Sequence, residues 1–343
     1  MTERLREALR FQAEACADLG SPFMAQLCTL LAERLEPGTL LTDRLFGWQG
    51  DLGLRGDSVA LRLAGALHAL KLQGHTGLAQ VYPPHQPDEK ELWKAVAAAL
   101  ASEAVFFIRR IDSPPQTNEV RRAACLIAVG HLLDARFGLP LNILELGASA
   151  GLNLNWDRFA LEAGGQRFGP EDAVLTLRPD WRGLPLPAAN PKIAERAGVD
   201  LNPVNARSEM GRLRLLAYLW PDQPERIALT EAGIGAVTAP PEKGDAIGWL
   251  AGRLAPKPGH IRLIYSTIAW QYFPRAAQDR GERLIREAGA TATFESPLAW
   301  FGMETDGQSP GAAMTLRLWP SCETLSLGRI DFHGRWIDWT GPV

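Results

Sequence analysis

The strongest constraint on the fold lies at residues 141–151, where a short apolar run leads directly into a loop with glycine at both ends. Leu141 to Leu146 has the length and apolar character of a buried strand. Gly147-Ala148-Ser149-Ala150-Gly151 follows at once, and its glycines allow left-handed backbone and close approach of a ligand to the main chain. The pattern predicts a strand that feeds a helix through a ligand-binding loop.

Two kinds of site fit this loop, and they give Ser149 different roles. As G-x-S-x-G it matches the nucleophile elbow of serine hydrolases, with His260 or His333 as the histidine that follows in the chain. An α/β hydrolase, however, has several strands before its nucleophile, whereas the chain before residue 141 favours helices. The other kind is the loop that holds an adenosyl cofactor, in which Ser149 contacts the cofactor or caps a helix that begins at Ala150. The dinucleotide fingerprint G-x-G-x-x-G is not met, because Ser149 stands in place of its second glycine.

The residues before the loop predict helices and no strand. Apolar residues recur there at helical spacing, and breaks such as Gly20-Ser21-Pro22 separate the segments. Asp57 is predicted to be the N-cap of a helix that Gly74 ends. Ser113-Pro114-Pro115-Gln116 has the form of a capping box at the start of a helix over 113–137. Helices are also predicted near 3–18, 22–35 and 88–102, so residues 1–112 are expected to form a helical N-terminal domain.

After the loop, apolar runs alternate with helical segments, which is typical of an α/β protein with a doubly wound, mostly parallel sheet. The predicted helices lie near 206–219, 223–236 and 275–288. The predicted strands are 173–177, 198–200, 261–268, 291–295, 313–318 and 323–336. The last two of these are expected to form an antiparallel edge. Residues 160–195 are rich in glycine and proline and are predicted to be an insertion in the form of a hairpin.

Charge and cysteine content exclude several classes of function. The formal net charge is -3 and no block of five like charges occurs, so neither a nucleic-acid surface nor an anionic membrane surface is expected. No apolar run of about 18 residues is present to span a membrane. The four cysteines are scattered, as in proteins of the reduced cytoplasm, and the six histidines are isolated. No disulfide framework and no metal site are therefore predicted, and a small molecule is the expected partner.

Further strand ends supply polar residues that suit a nucleoside. In a doubly wound sheet the ligand binds at the carboxyl ends of the strands. Asp200 ends the second strand and is expected to bind both ribose hydroxyls, because a carboxylate accepts several hydrogen bonds. Asp245 and Ala246 lie in the loop that meets the adenine amino group in the adenosyl-methyltransferase arrangement, although Asp245 also fits a helix N-cap. Ser266 ends the fourth strand, whose end faces the methyl group in that arrangement.

Several motifs along the chain form one combined pattern. They are Pro115-Gln116-Thr117-Asn118-Glu119, Glu145-Leu146-Gly147-Ala148-Ser149-Ala150-Gly151-Leu152-Asn153-Leu154, Gly198-Val199-Asp200-Leu201-Asn202-Pro203, Trp220-Pro221-Asp222-Gln223 and His333-Gly334-Arg335-Trp336. This combination resembles a bacterial family of unknown function that is grouped by fold with the class I adenosylmethionine methyltransferases. The resemblance covers nearly the whole chain.

The resemblance implies a methyltransferase-like Rossmann domain over 113–343, with the insertion near 160–195, and S-adenosylmethionine as cofactor. The residues that it implies for cofactor binding are Glu145, Gly147, Ala148, Ser149, Gly151, Asp200, Asp245, Ala246 and Ser266. Two features depart from general methyltransferases. Ser149 replaces the middle glycine of the loop, and the distance along the chain from Gly147 to Asp200 is unusually long.

Two groups of residues are candidates for contact with the substrate. One group stands at the predicted start of the helix over 113–137, where it would face the mouth of the pocket, and the other follows the fourth strand. The first group is Gln116, Asn118 and Glu119, and the second is Trp270, Gln271 and Tyr272.

We therefore expect a cytoplasmic enzyme that transfers a methyl group from S-adenosylmethionine to an unidentified small-molecule acceptor. Proximity and a dry pocket between a helical cap and the sheet would supply most of the catalysis. The sequence indicates neither a catalytic base nor an oligomeric state. Two alternatives stay open: a non-catalytic nucleoside-binding module of the same fold, and a serine hydrolase that uses Ser149.

Overall fold

The computed structural model describes residues 2–53 and 56–342, which fall into two compact units. The first unit consists of Met1–Thr117 together with Ser208–Ala228, and the second consists of Asn118–Arg207 together with Leu229–Val343. Residues 208–228, which the sequence pattern placed with the sheet, therefore group with the N-terminal helices. The glycine loop 147–151 and the strand ends around it lie in the second unit.

Helices dominate residues 2–137, and several begin at the side-chain caps that local sequence favours. Ser21 accepts a hydrogen bond from the Met24 amide, and Asp88 forms a capping box with Glu91. The helices are α1 (Thr2–Asp18), α2 (Pro22–Arg34), α3 (Leu40–Phe46), α4 (Val59–Leu72), α5 (Thr76–Ala79), α6 (Glu89–Ser102), α7 (Ala104–Ile111), α8 (Ala123–Phe137), α9 (Glu209–Ala217), α10 (Pro224–Ala236), α11 (Ala246–Ala251) and α12 (Arg275–Gly289).

Two predicted helix starts are wrong. The N-cap of α4 is Ser58 rather than Asp57, whose carboxylate instead accepts a hydrogen bond from the Trp48 indole at 2.7 Å. The helix predicted from residue 113 begins only at Ala123, after a 3₁₀ turn at Val120–Arg122. The segment 113–119 stays non-helical, so no capping box forms there. A proline disfavours helical backbone in the residue before it, and two consecutive prolines extend this effect.

The strands belong to one large sheet and one small sheet. They are β1 (Leu141–Leu146), β2 (Ala160–Ala163), β3 (Gln166–Phe168), β4 (Thr176–Leu177), β5 (Asp180–Gly183), β6 (Ile193–Asp200), β7 (Glu242–Lys243), β8 (Ile261–Thr267), β9 (Leu298–Glu304), β10 (Ala312–Trp319), β11 (Glu323–Ile330) and β12 (Trp336–Trp339). In the described residues the large sheet has nine strands in the order β5-β12-β11-β10-β9-β8-β1-β6-β7. The strands from β9 to β7 run parallel, and β9 to β12 form an antiparallel meander.

The prediction of a mixed α/β fold with a large, mostly parallel sheet is confirmed, and β1 occupies a central position in it. Every residue of β1 is buried, as expected for an apolar strand with parallel neighbours on both sides. Leu141 pairs with Ile193 of β6 and with Ile261 of β8, so the three strands start at the same edge. Their carboxyl ends therefore bring together the loop 147–151, the end of β6 and the end of β8.

Several predicted strands and one predicted helix differ from the structure. Residues 291–295 form a turn closed by a bridge between Thr293 and Ser296, and the strand that follows α12 is β9. The predicted strand 173–177 shortens to β4, and 323–336 is interrupted by a turn between β11 and β12. The helix predicted from Ala150 is a 3₁₀ segment at Asn153–Arg158. Because β9 is buried on both sides, it lacks the polar alternation that marks half-exposed strands.

The segment 160–195 forms a hairpin and a bridge to the large sheet. β2 and β3 pair antiparallel around Gly164 and Gly165, which both have left-handed backbone, and β4 joins β2 in parallel. β5 then pairs with β12 at the edge of the large sheet. Across residues 2–53 and 56–342, no helix combines the length and apolar character that crossing a membrane requires.

Candidate functional site

The loop after β1 is a tight turn with three residues in left-handed backbone. The φ angles are 74° at Gly147, 52° at Ser149 and 75° at Gly151. A Cβ atom at Gly147 would lie 2.5 Å from the Cβ of Ala269, which follows β8, so this position requires glycine. A left-handed serine costs about 1–2 kcal/mol, which means that neighbouring contacts hold the turn in this shape.

All backbone amides from Gly147 to Leu152 donate hydrogen bonds inside the protein. The acceptors are the Val199 carbonyl for Gly147 and Ala148 (both 3.0 Å), the Asp200 carboxylate for Ser149 (2.9 Å), the Ala148 carbonyl for Gly151 (2.7 Å), and the Asn118 side chain for Ala150 (3.2 Å) and Leu152 (3.0 Å). This stretch therefore offers no unpaired amide to a phosphate or to an oxyanion. Nests of unpaired amides are what phosphate-binding loops and oxyanion holes present.

Asp200 connects the ends of three parallel strands. Its Oδ2 accepts from the Ser149 amide at 2.9 Å, its Oδ1 accepts from the Asn202 amide at 2.8 Å, and its carbonyl accepts from the Gly244 amide at 3.0 Å. The structure thus brings Asp200 against the glycine loop. The side chain is half-buried, and a carboxylate has about four acceptor positions, so it retains capacity for further donors.

Asn118 and Glu119 support the loop from the residues just before the 3₁₀ turn Val120–Arg122, of which Glu119 is the N-cap, and not from the start of a long helix as predicted. The buried Asn118 side chain accepts hydrogen bonds from the Ala150 and Leu152 amides through its Oδ1. The Glu119 carbonyl accepts from the Asn153 side chain at 3.2 Å, and its buried carboxylate accepts from the Arg121 amide at 3.2 Å. Gln116 is half-buried and belongs to the first unit. A role of these three residues in substrate binding stays a prediction.

Glu145 is a buried carboxyl group beneath the loop. Its side chain is 2% exposed, and its Oε2 has no hydrogen-bond partner. Burial raises the pKa of Glu145 well above its usual value, and the charge of Asp200 adds to this, whereas a hydrogen bond with Tyr265 and the charge of Arg122 oppose it. The raised pKa favours the protonated form of Glu145 relative to an exposed glutamate.

At the end of β8, Ser266 is engaged by a residue that the sequence pattern did not indicate. The Ser266 hydroxyl donates to Glu304 at 2.7 Å, and Glu304 also accepts from the amides of Ala269 (3.1 Å), Trp270 (3.0 Å) and Gln271 (3.4 Å). Burial raises the pKa of Glu304, and the hydrogen bonds from Ser266 and the three amides oppose that rise. Glu304 is an acidic residue at the end of β9, and this position could have marked it as a site residue. The sequence pattern did not predict β9, so Glu304 was not a candidate.

A cleft of about 270 Å³ opens beside these residues and is lined by both Ser266 and Trp270. The Trp270 ring meets the Trp300 ring edge-on at 5.2 Å between centroids, and the Arg317 guanidinium lies 4.5 Å from the Trp300 ring. Of the other two candidates, Gln271 accepts from the Thr305 amide at 3.0 Å, whereas Tyr272 is 56% exposed. Only Trp270 of the three therefore lines the cleft.

Asp245 is a helix N-cap, and Ala246 is the first residue of the helix that it caps. The Asp245 Oδ2 accepts from the Gly248 amide at 2.6 Å at the start of α11. Asp245 is exposed and Ala246 is buried. The neighbouring Gly244 donates to the Asp200 carbonyl, so this loop adjoins the end of β6. Contact of Asp245 with adenine stays a prediction.

The arrangement disfavours a serine hydrolase in two ways. The amide after the nucleophile normally forms part of the oxyanion hole, but the amide after Ser149 is occupied by the Asn118 side chain at 3.2 Å. His260 precedes β8, at the edge of the sheet opposite to Ser149. His333 lies in the turn between β11 and β12. Arg122 links this turn to the carboxyl end of β8 by donating to the Phe332 and Thr267 carbonyls, so a hydrolase would use His333 rather than His260.

These contacts define an α/β protein with a candidate ligand site at the carboxyl edge of a mostly parallel sheet. Over the described ranges 2–53 and 56–342, no group of three or more His, Cys, Asp or Glu side chains could hold a metal ion. The chain belongs to the family described as "Uncharacterized protein conserved in bacteria (DUF2332)", whose model matches residues 6–339. Comparisons with curated proteins and with solved structures found no match.

Proposed function

We propose that the protein binds S-adenosylmethionine at the carboxyl edge of β6, β1 and β8 and transfers its methyl group to a small-molecule acceptor. The observation that carries this proposal is the contact between the glycine loop and Asp200 at the end of β6. The Asp200 carboxylate is hydrogen-bonded to the Ser149 amide, so the loop and the acidic strand end form one surface. In a methyltransferase-like Rossmann domain, this is the surface that receives the nucleoside.

The order of the parallel strands supports the same arrangement. The five parallel strands lie side by side in the order β7-β6-β1-β8-β9. If these five are numbered by their order along the chain, the spatial order is 3-2-1-4-5. Such an order reverses direction between the first and fourth strands. Ligands of doubly wound sheets bind outside the carboxyl ends of the strands at that reversal, where the glycine loop and Ser266 lie.

The hydrogen bonding of the loop selects among nucleoside ligands. NAD and similar dinucleotides carry a pyrophosphate, which requires unpaired amides at the loop. S-adenosylmethionine carries no phosphate, so a loop whose amides are already paired suits it. Asp200 uses two of its roughly four acceptor positions and keeps two for the ribose hydroxyls.

The buried carboxyl of Glu145 suits the positive charge of the cofactor. When bound, S-adenosylmethionine supplies an electrophilic methyl group on a positively charged sulfur. A cation near Glu145 would favour its ionised form and would lower the pKa that burial has raised. Glu145 would thereby hold the charged end of the ligand, while Asp200 holds the ribose.

The cleft beside Trp270 is where the acceptor would lie in this proposal. Glu304 fixes the backbone of residues 269–271 through three amide hydrogen bonds, and this fixes the Trp270 ring at the wall of the cleft. Several charged side chains of the cleft form ion pairs with one another, as in Arg275–Asp279 at 3.1 Å and Arg317–Glu282 at 3.8 Å. The chain would therefore act by holding the acceptor and excluding water, which are contributions of proximity and environment.

Isothermal titration calorimetry with S-adenosylmethionine and S-adenosylhomocysteine tests the proposal. We expect both ligands to bind, and Asp200→Asn to weaken binding about 10–100-fold through loss of charge-assisted hydrogen bonds. Asp88→Asn is the matched control, because it also removes one negative charge but keeps an N-cap residue on α6. Absence of binding by either ligand at millimolar concentration would sink the proposal.

The two alternatives have separate outcomes. Binding of S-adenosylmethionine without methylation of any component of a broad metabolite extract would support a non-catalytic nucleoside-binding module. Covalent labelling by a fluorophosphonate that disappears in Ser149→Ala would support the hydrolase. It would contradict the argument that the hydrogen-bonded amide after Ser149 leaves no oxyanion hole. Transfer of a labelled methyl group to an extract component, reduced in Asp200→Asn in proportion to the weaker binding of the cofactor, is the result that we expect.

A further inference from the structure

In the first unit, the end of α7 and the end of α9 pack against the same stretch of α4. Arg62 of α4 donates to the Ile111 carbonyl at 2.9 Å and to the Asp112 carbonyl at 3.1 Å, so it holds the end of α7. One turn later on α4, a Cβ at Gly65 would lie 2.6 Å from the ring of Tyr218, the C-cap of α9. Glycine therefore lets this ring lie directly against α4, beside the end of α7.

Two arginines approach Tyr218 from different helices. Arg214 precedes it by four residues and so shares its face of α9, and the Arg214 Nη2 donates to the Pro114 carbonyl just beyond α7 at 3.5 Å. Arg110 lies in the last turn of α7. Burial raises the pKa of Tyr218, and the charges of Arg110 and Arg214 oppose that rise. Both guanidinium groups therefore act on the same phenol.

The acidic side chains near this point are engaged elsewhere. The Asp112 carboxylate pairs with Arg44, and the Asp57 carboxylate pairs with Arg62 at 3.4 Å. Among the described residues, no carboxylate forms an ion pair with either of the two arginines beside Tyr218. Both of these arginines are half-buried, and partly desolvated charges in proteins are normally paired. Two like charges therefore stand close together without an anion from the chain.

The side chains fit a phosphate group. An arginine presents several N–H donors in a fork that matches two phosphate oxygens, and Arg214 uses only one of its donors in the weak bond to Pro114. The Tyr218 hydroxyl supplies a further donor. Arg110 need not touch the ligand, because its charge acts through space and is screened less where water is partly excluded. A phosphate group with about -1.5 to -2 charges at neutral pH would neutralise both arginines.

We propose that Arg214 and Tyr218 bind the phosphate group of a small molecule, with Arg110 supplying the second positive charge. Inorganic phosphate and phosphomonoesters share this group, and the experiment below distinguishes them. The site belongs to the first unit, whereas the candidate S-adenosylmethionine site belongs to the second. It therefore stands whether or not that cofactor binds.

Isothermal titration calorimetry at low ionic strength, with inorganic phosphate and with phenyl phosphate, tests this site. We expect saturable binding of at least one probe, and tighter binding of phenyl phosphate identifies the ester as the preferred source of the group. Arg214→Gln should weaken binding about tenfold or more, because it removes charge-assisted hydrogen bonds. Arg110→Gln should weaken it about threefold through loss of charge alone. Arg109→Gln, which removes the same charge from the exposed neighbour of Arg110, is the matched control and should bind like the parent.

Tyr218→Phe keeps the test decisive if the arginine variants do not fold, since the ring that lies against Gly65 is retained. It should weaken binding about fivefold through loss of one hydrogen bond. Phosphate should also raise the melting temperature of the parent more than that of Tyr218→Phe, a comparison that cancels its non-specific stabilising effect. The proposal is overturned if neither probe binds at tens of millimolar, or if Arg214→Gln and Tyr218→Phe bind both probes like the parent. It is also overturned if Arg109→Gln weakens binding as much as Arg214→Gln.

Discussion

Gly147→Ala should destabilise the protein more than an ordinary glycine substitution at left-handed backbone. At φ 74° an alanine costs about 1–2 kcal/mol, and its Cβ would lie 2.5 Å from the Cβ of Ala269. Neither atom is at the end of a flexible side chain, so backbone must move, and overpacking of this kind costs about 1–3 kcal/mol. We expect a total loss of about 2–5 kcal/mol in the free energy of unfolding, measured by urea denaturation with tryptophan fluorescence.

Two further variants separate backbone strain from the steric contact. Gly138 has a similar φ of 62°, and a Cβ added there would meet no atom within 4 Å, so Gly138→Ala should lose only about 1–2 kcal/mol. Combining Gly147→Ala with Ala269→Gly removes the clash, so the double variant should recover the steric part of the loss. If Gly147→Ala is no worse than Gly138→Ala, or if Ala269→Gly gives no recovery, the close approach of the two loops is refuted.

Three other polar residues give separate predictions, of which Glu145 and Asn118 are buried and Glu304 is half-buried. Because its pKa is raised, the Glu145 carboxyl contributes most to stability at acidic pH, below the usual glutamate pKa, and that contribution is lost as pH rises through the raised value. Glu145→Gln should therefore be more stable than the parent at neutral pH and lose this advantage in acid, which thermal unfolding across pH would show. Asn118→Ala leaves two loop amides without an acceptor and should cost about 2–5 kcal/mol in chemical denaturation, whereas Asn118→Asp should retain most of that stability. Glu304→Gln puts an amide NH₂ in place of Oε2, which accepts from the Gln271 amide at 3.4 Å, and should cost about 1–3 kcal/mol, with faster hydrogen exchange at Gln271 as its signature; unchanged exchange there would contradict the anchoring role.

Local patterns in the sequence predicted the elements whose signals are local. β1 has the predicted bounds, because an apolar run followed by glycine marks a strand end within a few residues. β6 ends at Asp200 as predicted but begins at Ile193 rather than at Gly198, since Glu195 and Arg196 interrupt its apolar pattern. The start of α8 was wrong because Ser113-Pro114-Pro115-Gln116 fits both a capping box and an extended proline segment. Sequence alone does not distinguish these, since the choice depends on what the following Asn118 contacts.

The residues that shape the site from a distance were not predictable in this way. Asn118 reaches loop amides 32 and 34 positions later in the chain, and Glu304 reaches Ser266 across 38 positions. Such pairings are set by which strands become neighbours. Glu304 was not a candidate because β9 was not predicted, and a strand buried on both faces has the same apolar composition as part of a buried helix.

The hydrogen bonding of the backbone amides of the loop 147–152 bears on how amino-acid substitutions would change this site. Because every backbone amide of this turn is hydrogen-bonded within the protein, the turn keeps its shape with or without a bound ligand. Ligand binding therefore need not reorganise it. Discrimination between ligands then falls to side chains that do not hold the loop, such as Trp270 at the wall of the neighbouring cleft. Substitutions at those positions can alter what is bound while the scaffold beneath stays intact.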